Sequence, residues 1–142
     1  MAKIEEVIII KRPVDRVFAY TTDIKSWPKW FVIITEAEQT SPGAFGVGTT
    51  FKVTFHMMGM NSRQTGKVTQ YEVNKKYSKD VATTTQVNYT YEQVQEGTKL
   101  TIVFNIKITG FFKLFSSMLL GSMQKDIKKS LTNLKSILEA QS

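Results

Sequence analysis

Three stretches in the middle of the chain alternate apolar and polar residues with a period of two. They are residues 51–57, 87–91 and 100–108. Because side chains on a strand point alternately to opposite faces, each stretch predicts a strand with one apolar face. Clusters rich in Gly, Asn and Lys separate these stretches from their neighbours and predict turns. The region from residue 31 to residue 108 is therefore predicted to hold about six antiparallel strands.

A further strand and two short helices are predicted before this region. Residues 3–11 are rich in Ile and Val and end at Arg12-Pro13, which stops a strand. Pro13 suits the first position of a helix, and the apolar residues that follow it recur at helical spacing. Asp23 is a capping residue for a second short helix over residues 24–27, and the Trp-Pro-Lys-Trp segment of residues 27–30 is then predicted to change the direction of the chain.

The last part of the chain changes to a helical period. Its apolar residues follow one another at steps of three or four: Phe115, Leu119, Met123, Ile127, Leu131, Leu134 and Leu138. This spacing predicts one apolar stripe along a helix of about 30 residues. Burial of each large side chain contributes about 1.5 to 3 kcal/mol, so the helix is expected to lie along the apolar face of the sheet. The order of elements is that of an α+β fold.

The length and composition are typical of one globular domain without disulfide bonds. The 142 residues, 42% of them hydrophobic, are enough for one core, and we expect a single domain over residues 1–142. The chain has no cysteine, which excludes disulfides and thiol nucleophiles and is typical of a reducing compartment. No apolar run reaches the length of about 20 residues that spans a bilayer, and no signal-peptide pattern is present. We therefore expect a cytoplasmic protein.

The net charge of +7 raises two further classes of partner, nucleic acids and anionic membranes. Basic residues are spread evenly over both halves of the chain, and no nucleic-acid-binding motif accompanies them. We therefore expect no binding of nucleic acid. Contact with an anionic membrane surface is expected to be weak at most, because dispersed surface charge is screened by salt.

Few residues have the pattern of a catalytic or metal site. No nucleophile stands beside a base, and no two carboxylates are placed to act on one bond. The cluster His56-Met57-Met58-Gly59-Met60 has ligands that suit Cu(I), but a single histidine is a poor anchor and a hairpin with inward methionines is preferred. We therefore expect neither a metal ion nor another cofactor. Tyr89 and Tyr91 are predicted to face inward, where each hydroxyl can bond either a neighbour or a ligand oxygen.

Four parts of the sequence carry a resemblance to a known superfamily. They are residues 13–18 (Pro-Val-Asp-Arg-Val-Phe), residues 23–30 (Asp-Ile-Lys-Ser-Trp-Pro-Lys-Trp), the glycines Gly43, Gly46 and Gly48 before Phe51, and residues 66–71 (Gly-Lys-Val-Thr-Gln-Tyr). In this order and position they resemble the START domains, the birch-pollen allergen fold and the polyketide cyclase/dehydrase-like proteins, together called SRPBCC. The resemblance covers nearly the whole chain.

The resemblance implies a helix-grip fold, in which a curved antiparallel sheet of about seven strands wraps around the long C-terminal helix. It also implies a hydrophobic cavity between sheet and helix. The loop of residues 42–48 would overhang the cavity mouth, with Phe45 as a lid; phosphate binding by this loop is not favoured, because a strand rather than a helix follows it. Members of the superfamily include carriers, cyclases, activators of an ATPase and oxygenase subunits, so the fold alone implies no reaction.

The expected cavity lining combines large apolar side chains with the two tyrosines. The candidates are Phe18, Trp27, Trp30, Phe51, Val53, Phe55, Tyr89, Tyr91, Phe104, Phe115, Met118, Leu119 and Met123. The leading hypothesis is binding or transport of an apolar or amphipathic small molecule, lipid-like or polyketide-like, whose polar end the tyrosine hydroxyls orient. One alternative is a polyketide cyclase or dehydratase that uses the same cavity. A second is a protein or membrane interaction module built on residues 111–123, a segment that suits buried core or a cavity mouth as well.

Overall fold

Seven antiparallel strands form one sheet in the computed structural model of the chain, which describes residues 2–57, 59–108 and 116–141. Their spatial order is β1-β7-β6-β5-β4-β3-β2, so β1 lies at one edge of the sheet beside β7, and β2 lies at the other edge. The strands are β1 (Ala2–Ile10), β2 (Ile34–Gln39), β3 (Thr50–Met57), β4 (Met60–Glu72), β5 (Lys76–Val81), β6 (Thr85–Val94) and β7 (Gly97–Ile106). The predicted number and direction of the strands are confirmed.

The turn between β6 and β7 requires a glycine. Gly97 has a φ of +143°, and a Cβ atom there would lie 2.2 Å from the carbonyl oxygen of Ile10. The absence of a side chain therefore lets this turn approach the end of β1 closely. Thr98, the next residue, pairs with Ile10 in the register of β1 with β7 and donates its hydroxyl to the carbonyl of Arg12 at 2.8 Å.

The segment between β1 and β2 is helical over most of its length. Helix α1 (Val14–Thr21) is followed by a single 3-10 turn (Ile24–Ser26), in which the Asp23 side chain accepts a hydrogen bond from the backbone N–H of Lys25. Helix α2 (Trp27–Trp30) then continues directly from that turn. The prediction that Trp27-Pro28-Lys29-Trp30 breaks the chain direction is wrong. Pro28 is in the first turn of α2, where its missing N–H has no intrahelical partner to lose.

The terminal helix α3 (Ser116–Ala140) packs against β1 and α2. Ile127, Leu131, Leu134 and Leu138 of the predicted stripe are buried. Leu119 and Met123, one and two turns from the start of the helix, are only half-buried. Phe115 of the stripe lies outside the described residues, and the described part of the helix has 25 residues.

Hydrogen bonds fasten the C-terminal end of α3 to the sheet. The Arg12 guanidinium donates to the carbonyl oxygen of Gln141 at 2.6 Å and also to that of Glu139. The Lys135 ammonium donates to the carbonyl of Ile9 at 2.7 Å and to the Glu139 carboxylate at 2.6 Å. This end of the helix is therefore held against β1, and the first turns of the helix extend over the rest of the sheet.

The arrangement is the expected α+β helix-grip fold, a curved sheet that wraps around a long C-terminal helix. No helix within residues 2–57, 59–108 and 116–141 is long and apolar enough to cross a membrane.

Candidate functional site

A cavity of about 550 Å³ lies between the sheet and the first turns of α3. Leu119 and Met123 of α3 contribute to its lining, α2 contributes Trp27, and the connection after α2 contributes Phe31 and Ile33. The remaining walls come from β2 to β7 and the turn between β5 and β6. Leu119 and Met123 are only half-buried because their side chains face this cavity and not close-packed core.

Eight of the predicted lining residues do line this cavity. They are Trp27, Phe51, Val53, Phe55, Tyr89, Phe104, Leu119 and Met123. Apolar residues that were not among the candidates complete the walls: Phe31, Ile33, Ile34, Met57, Val81 and Val87. The alternation of the strands predicted the inward residues of β3 and β6, whereas no periodic pattern marked Phe31 or Ile33 in the connection after α2.

Four predicted lining residues lie elsewhere. Phe18 packs edge-on against Tyr91, with ring centroids 5.0 Å apart, and neither ring borders the cavity. Trp30 is buried where α2 meets α3, and its carbonyl accepts a hydrogen bond from Asn133. Met118 is 68% exposed, because it is one residue away from the inward positions of α3 and points outward. Phe115 lies outside the described residues.

Phe45 does not cover the cavity. It lines a second, open cleft of about 900 Å³ beside α1, together with Phe18 and Tyr71. Its ring packs against Tyr71 and Tyr77 at centroid distances of 5.9 and 5.5 Å. The expectation that Phe45 acts as a lid is therefore wrong for this cavity, since Tyr77 and Tyr71 hold the ring in the outer cleft.

His56 is on the outer face of β3, as its alternation with Phe55 and Met57 predicted. It is exposed, and its Nδ1 is 2.8 Å from the side-chain oxygen of Asn61. Met57 lines the cavity, and Met60 touches its edge while remaining 71% exposed. Over residues 2–57, 59–108 and 116–141, no group of three His, Asp or Glu side chains is placed to hold a metal ion.

Lys79 is the charged residue of the described cavity lining, and the sequence analysis did not select it. It is in the middle of β5 and only 5% exposed. A signal for it was present, because Tyr77, Lys79 and Val81 alternate on one side of β5 and both of its neighbours in that set are apolar or aromatic. Carboxylate pairs, nucleophiles beside bases and inward tyrosines are the patterns that indicate a catalytic group in this sequence, and an isolated lysine on an inward strand position has none of them.

Aromatic rings surround the Lys79 ammonium nitrogen. Nζ lies 3.6 Å from the centroid of the Trp27 ring, 5.2 Å from that of Tyr89 and 5.8 Å from that of Phe51. The hydroxyl of Tyr77 accepts a long hydrogen bond from Nζ at 3.4 Å. No ion pair to Lys79 is present in the described part of the chain. Burial without a countercharge lowers the pKa of Lys79 from 10.5 to about 7.

Thr21, the last residue of α1, holds several of these rings in place. Its carbonyl oxygen accepts hydrogen bonds from the Trp27 indole N–H at 2.8 Å and from the Tyr77 hydroxyl at 3.4 Å. Its own hydroxyl is 2.6 Å from the hydroxyl of Tyr91. The orientation of Trp27 over Lys79 therefore depends on a residue that is not part of the cavity wall.

The tyrosines of β6 differ in how their hydroxyls are satisfied. The Tyr91 hydroxyl forms a hydrogen bond with the Thr21 hydroxyl, so it bonds a neighbouring residue and not a ligand. The Tyr89 hydroxyl is buried, and no group of the described residues meets hydrogen-bond geometry with it. Burial raises the pKa of Tyr89, so this hydroxyl keeps its proton at neutral pH.

A family comparison agrees with this geometry. The model of the family described as "Polyketide cyclase / dehydrase and lipid transport" matches residues 1–139. The chain belongs to this family. A comparison with curated proteins gives no significant match. The family description covers both lipid transport and an enzymatic chemistry, so the residues of the cavity must distinguish between them.

Solved structures support the fold over its whole length. The protein TTHA0849 from Thermus thermophilus superposes with a TM-score of 0.85 at 15% identity, covering 98% of both chains. Ara h 8.0201 superposes with a TM-score of 0.73 at 18% identity, covering 99% of both chains. The di-domain ARO/CYC protein BexL, from the BE-7585A biosynthetic pathway, superposes with a TM-score of 0.80 at 9% identity, covering 99% of this chain and 51% of BexL. At these identities the similarity establishes the fold and no shared activity.

The polar groups in the cavity lining are neutral side chains and one amine, without a carboxylate among the described residues. Ser62, Gln64, Thr84 and Thr85 add neutral polar atoms to the lining, and Lys79 adds an amine. Asp and Glu do not occur in the lining that the described residues form. Such a site can bury an apolar body by contact with its walls and fix one polar end at Lys79 and Tyr89.

Proposed function

We propose that this member of the family is a cytoplasmic, single-domain binding protein over residues 1–142 that carries an apolar or amphipathic small molecule. The observation that supports it is the cavity of about 550 Å³ with predominantly apolar walls. This volume is within the range of about 300 to 1,000 Å³ typical of small-molecule sites. A lipid-like or polyketide-like body fits walls of this chemistry, and its polar end is oriented by the Tyr89 hydroxyl and the Lys79 amine.

An enzyme of the cyclase or dehydratase type is the second candidate. It would be favoured by a carboxylate or histidine beside a tyrosine in the cavity, because such a pair can move a proton. Among the described residues the lining offers no carboxylate, and His56 is on the outer face of β3. An interaction module built on residues 111–123 is the third, and residues 111–115 of that segment lie outside the described part of the chain. The binding function is therefore preferred.

The test compares two substitutions of the same kind on one helix. Leu119 faces the cavity, whereas Leu134 is fully buried in close-packed core on the same stripe. In Leu119→Trp the indole occupies open space, so the melting temperature is expected to hold, while binding of the uncharged fluorescent probe N-phenyl-1-naphthylamine falls by at least about tenfold. In Leu134→Trp the indole overpacks the core, with an expected loss of about 1 to 3 kcal/mol in the free energy of unfolding.

The two readouts separate the outcomes. Thermal unfolding reports packing at each position, and probe titration reports the cavity itself. If the parent protein takes up no probe and both substitutions destabilise it equally, α3 covers an ordinary core. The binding function would then be abandoned in favour of the interaction module.

A further inference from the structure

The unusual chemical group of the cavity is a buried primary amine, that of Lys79, without an anionic partner among the residues that the structure describes. Resting on the proposed binding function, we propose that the cavity captures aldehydes or ketones covalently, by forming an imine at the Nζ of Lys79. The ligand class is an apolar chain or ring system that ends in a carbonyl group. The rest of the ligand occupies the apolar part of the cavity, and the carbonyl carbon is brought to the amine.

The geometry holds the amine in a defined place. Lys79 is in the middle of β5, paired with Val68 of β4 and Val87 of β6, so its backbone cannot move away from the wall. Trp27 covers Nζ on one side at 3.6 Å from its ring centroid, and the hydroxyl of Tyr77 is 3.4 Å away. Because folding has already fixed the conformation of this side chain, little further conformational entropy is lost when the amine reacts. A nucleophile held in place in this way reacts faster than a mobile one.

The reaction needs no reactant beyond the amine, the carbonyl compound and water. The nitrogen lone pair attacks the carbonyl carbon, and one nitrogen proton passes to the carbonyl oxygen to give a carbinolamine. Loss of water then removes that oxygen with its proton and the second nitrogen proton, leaving a C=N bond. No electrons are exchanged, and hydrolysis by water reverses each step and releases the ligand.

The surroundings favour this product over an ion pair with an acid. A carbonyl compound brings no net charge into the apolar cavity, whereas a carboxylate would have to be desolvated there. The Tyr89 ring, with its centroid 5.2 Å from Nζ, borders the cavity beside the amine. When the imine nitrogen takes up a proton from solvent, the face of the Trp27 ring stabilises the resulting positive charge.

The amine attacks only in its uncharged form, and burial raises the uncharged fraction because it lowers the pKa of Lys79. The titratable groups that face Nζ are Tyr77 on its own strand and Tyr89 on β6, both held protonated by burial, which raises their pKa values. From α2 and β3 the facing groups are Trp27 and Phe51, which do not titrate. With its pKa lowered to about 7, Lys79 is half unprotonated near neutral pH. An amine with the reference pKa is protonated in all but roughly one molecule in several thousand at pH 7.

The experiment traps the imine by reduction. The full-length protein is incubated with decanal and sodium cyanoborohydride near pH 7, and the modified lysine is located by peptide mass spectrometry. A decyl group is expected on Lys79, at least about tenfold faster than on the exposed Lys52 of β3. Lys52→Met is expected to keep the adduct at Lys79 and to bind N-phenyl-1-naphthylamine like the parent protein, whereas Lys79→Met loses the adduct.

Competition experiments separate failure of this inference from failure of the binding function. If decanal and decan-1-ol both displace the probe but Lys79 is labelled no faster than Lys52, imine formation is refuted and binding stands. If decanoate displaces the probe better than decanal and does so only when Lys79 is present, the amine holds a carboxylate as an ion pair and the inference is overturned. If the protein binds no probe and Lys79 is not labelled, both proposals fail. The mapping is made on the parent protein, so the result does not depend on the folding of Lys79→Met.

Discussion

Replacing Lys79 by methionine is expected to stabilise the protein at neutral pH and to remove a specific dependence of stability on pH. Lys79 is 5% exposed and has no ion pair among the described residues, so its charge is buried without compensation. Methionine keeps a similar length and volume and has no charge to desolvate. Replacement of buried charge by well-packed apolar side chains is often neutral or stabilising.

The magnitude follows from the pKa of the amine. Burial lowers the pKa of Lys79 from 10.5 to about 7. Because the folded-state pKa is the lower one, the unfolded chain binds more protons between these two values, and the free energy of unfolding rises with pH across that window. At about 1.4 kcal/mol per pKa unit, the full shift corresponds to about 5 kcal/mol as an upper limit, of which about 2 kcal/mol is gained between pH 7 and pH 9.

The assay is urea unfolding of the parent protein and Lys79→Met at several pH values between about 6 and 9. The range ends there because burial raises the pKa values of Tyr77 and Tyr91, so their contribution to stability is lost as the pH rises through and above 10.0. Lys52→Met, on the outer face of β3, is the matched control and is expected to follow the parent curve. If Lys79→Met and the parent protein have parallel curves from pH 6 to pH 9, Lys79 is charged and solvated in the folded state, and burial does not lower its pKa.

Four further outcomes are expected. Tyr91→Phe removes the bond to Thr21 and is expected to lower stability by about 1 kcal/mol in urea unfolding, with unchanged probe binding. Tyr89→Phe is expected to leave stability unchanged or raise it, because no group of the described residues meets hydrogen-bond geometry with the buried Tyr89 hydroxyl. The same substitution is expected to weaken competition by decan-1-ol, because it removes the hydroxyl proposed to orient the polar end of the ligand. Gly66→Ala is expected to lower the melting temperature by several degrees, since its Cβ would lie 2.3 Å from the Phe51 ring. Association with anionic vesicles is expected to be weak and absent at about 0.5 M salt, in a sedimentation assay.

Local patterns were sufficient for the strands and for the direction of their side chains. The period of two along β3, β6 and β7 determines which residues share a face whatever the rest of the fold does. The same rule puts Lys79 on the inner face of β5 beside Tyr77 and Val81. The stripe on α3 likewise predicted a long helix lying on the sheet, because an apolar stripe of that length is stable only when it is covered.

Contacts between distant segments decided the properties of the site. The stripe alone cannot distinguish Leu134, which is packed, from Leu119, which faces open space, because the difference depends on how far the curved sheet stands from each turn of α3. Tyr89 and Tyr91 have the same pattern in sequence, yet only Tyr91 meets Thr21, a residue of α1 brought next to β6 by the fold.

The amine shows the same division between sequence and tertiary structure. Alternation determines that Lys79 points inward, but its lowered pKa results from burial, which removes the amine from water. That burial depends on how α2, β3 and β6 assemble around β5. Desolvation acts over a few ångströms in space, irrespective of distance along the chain, so only the tertiary structure turns an ordinary inward lysine into an amine that loses its proton near pH 7.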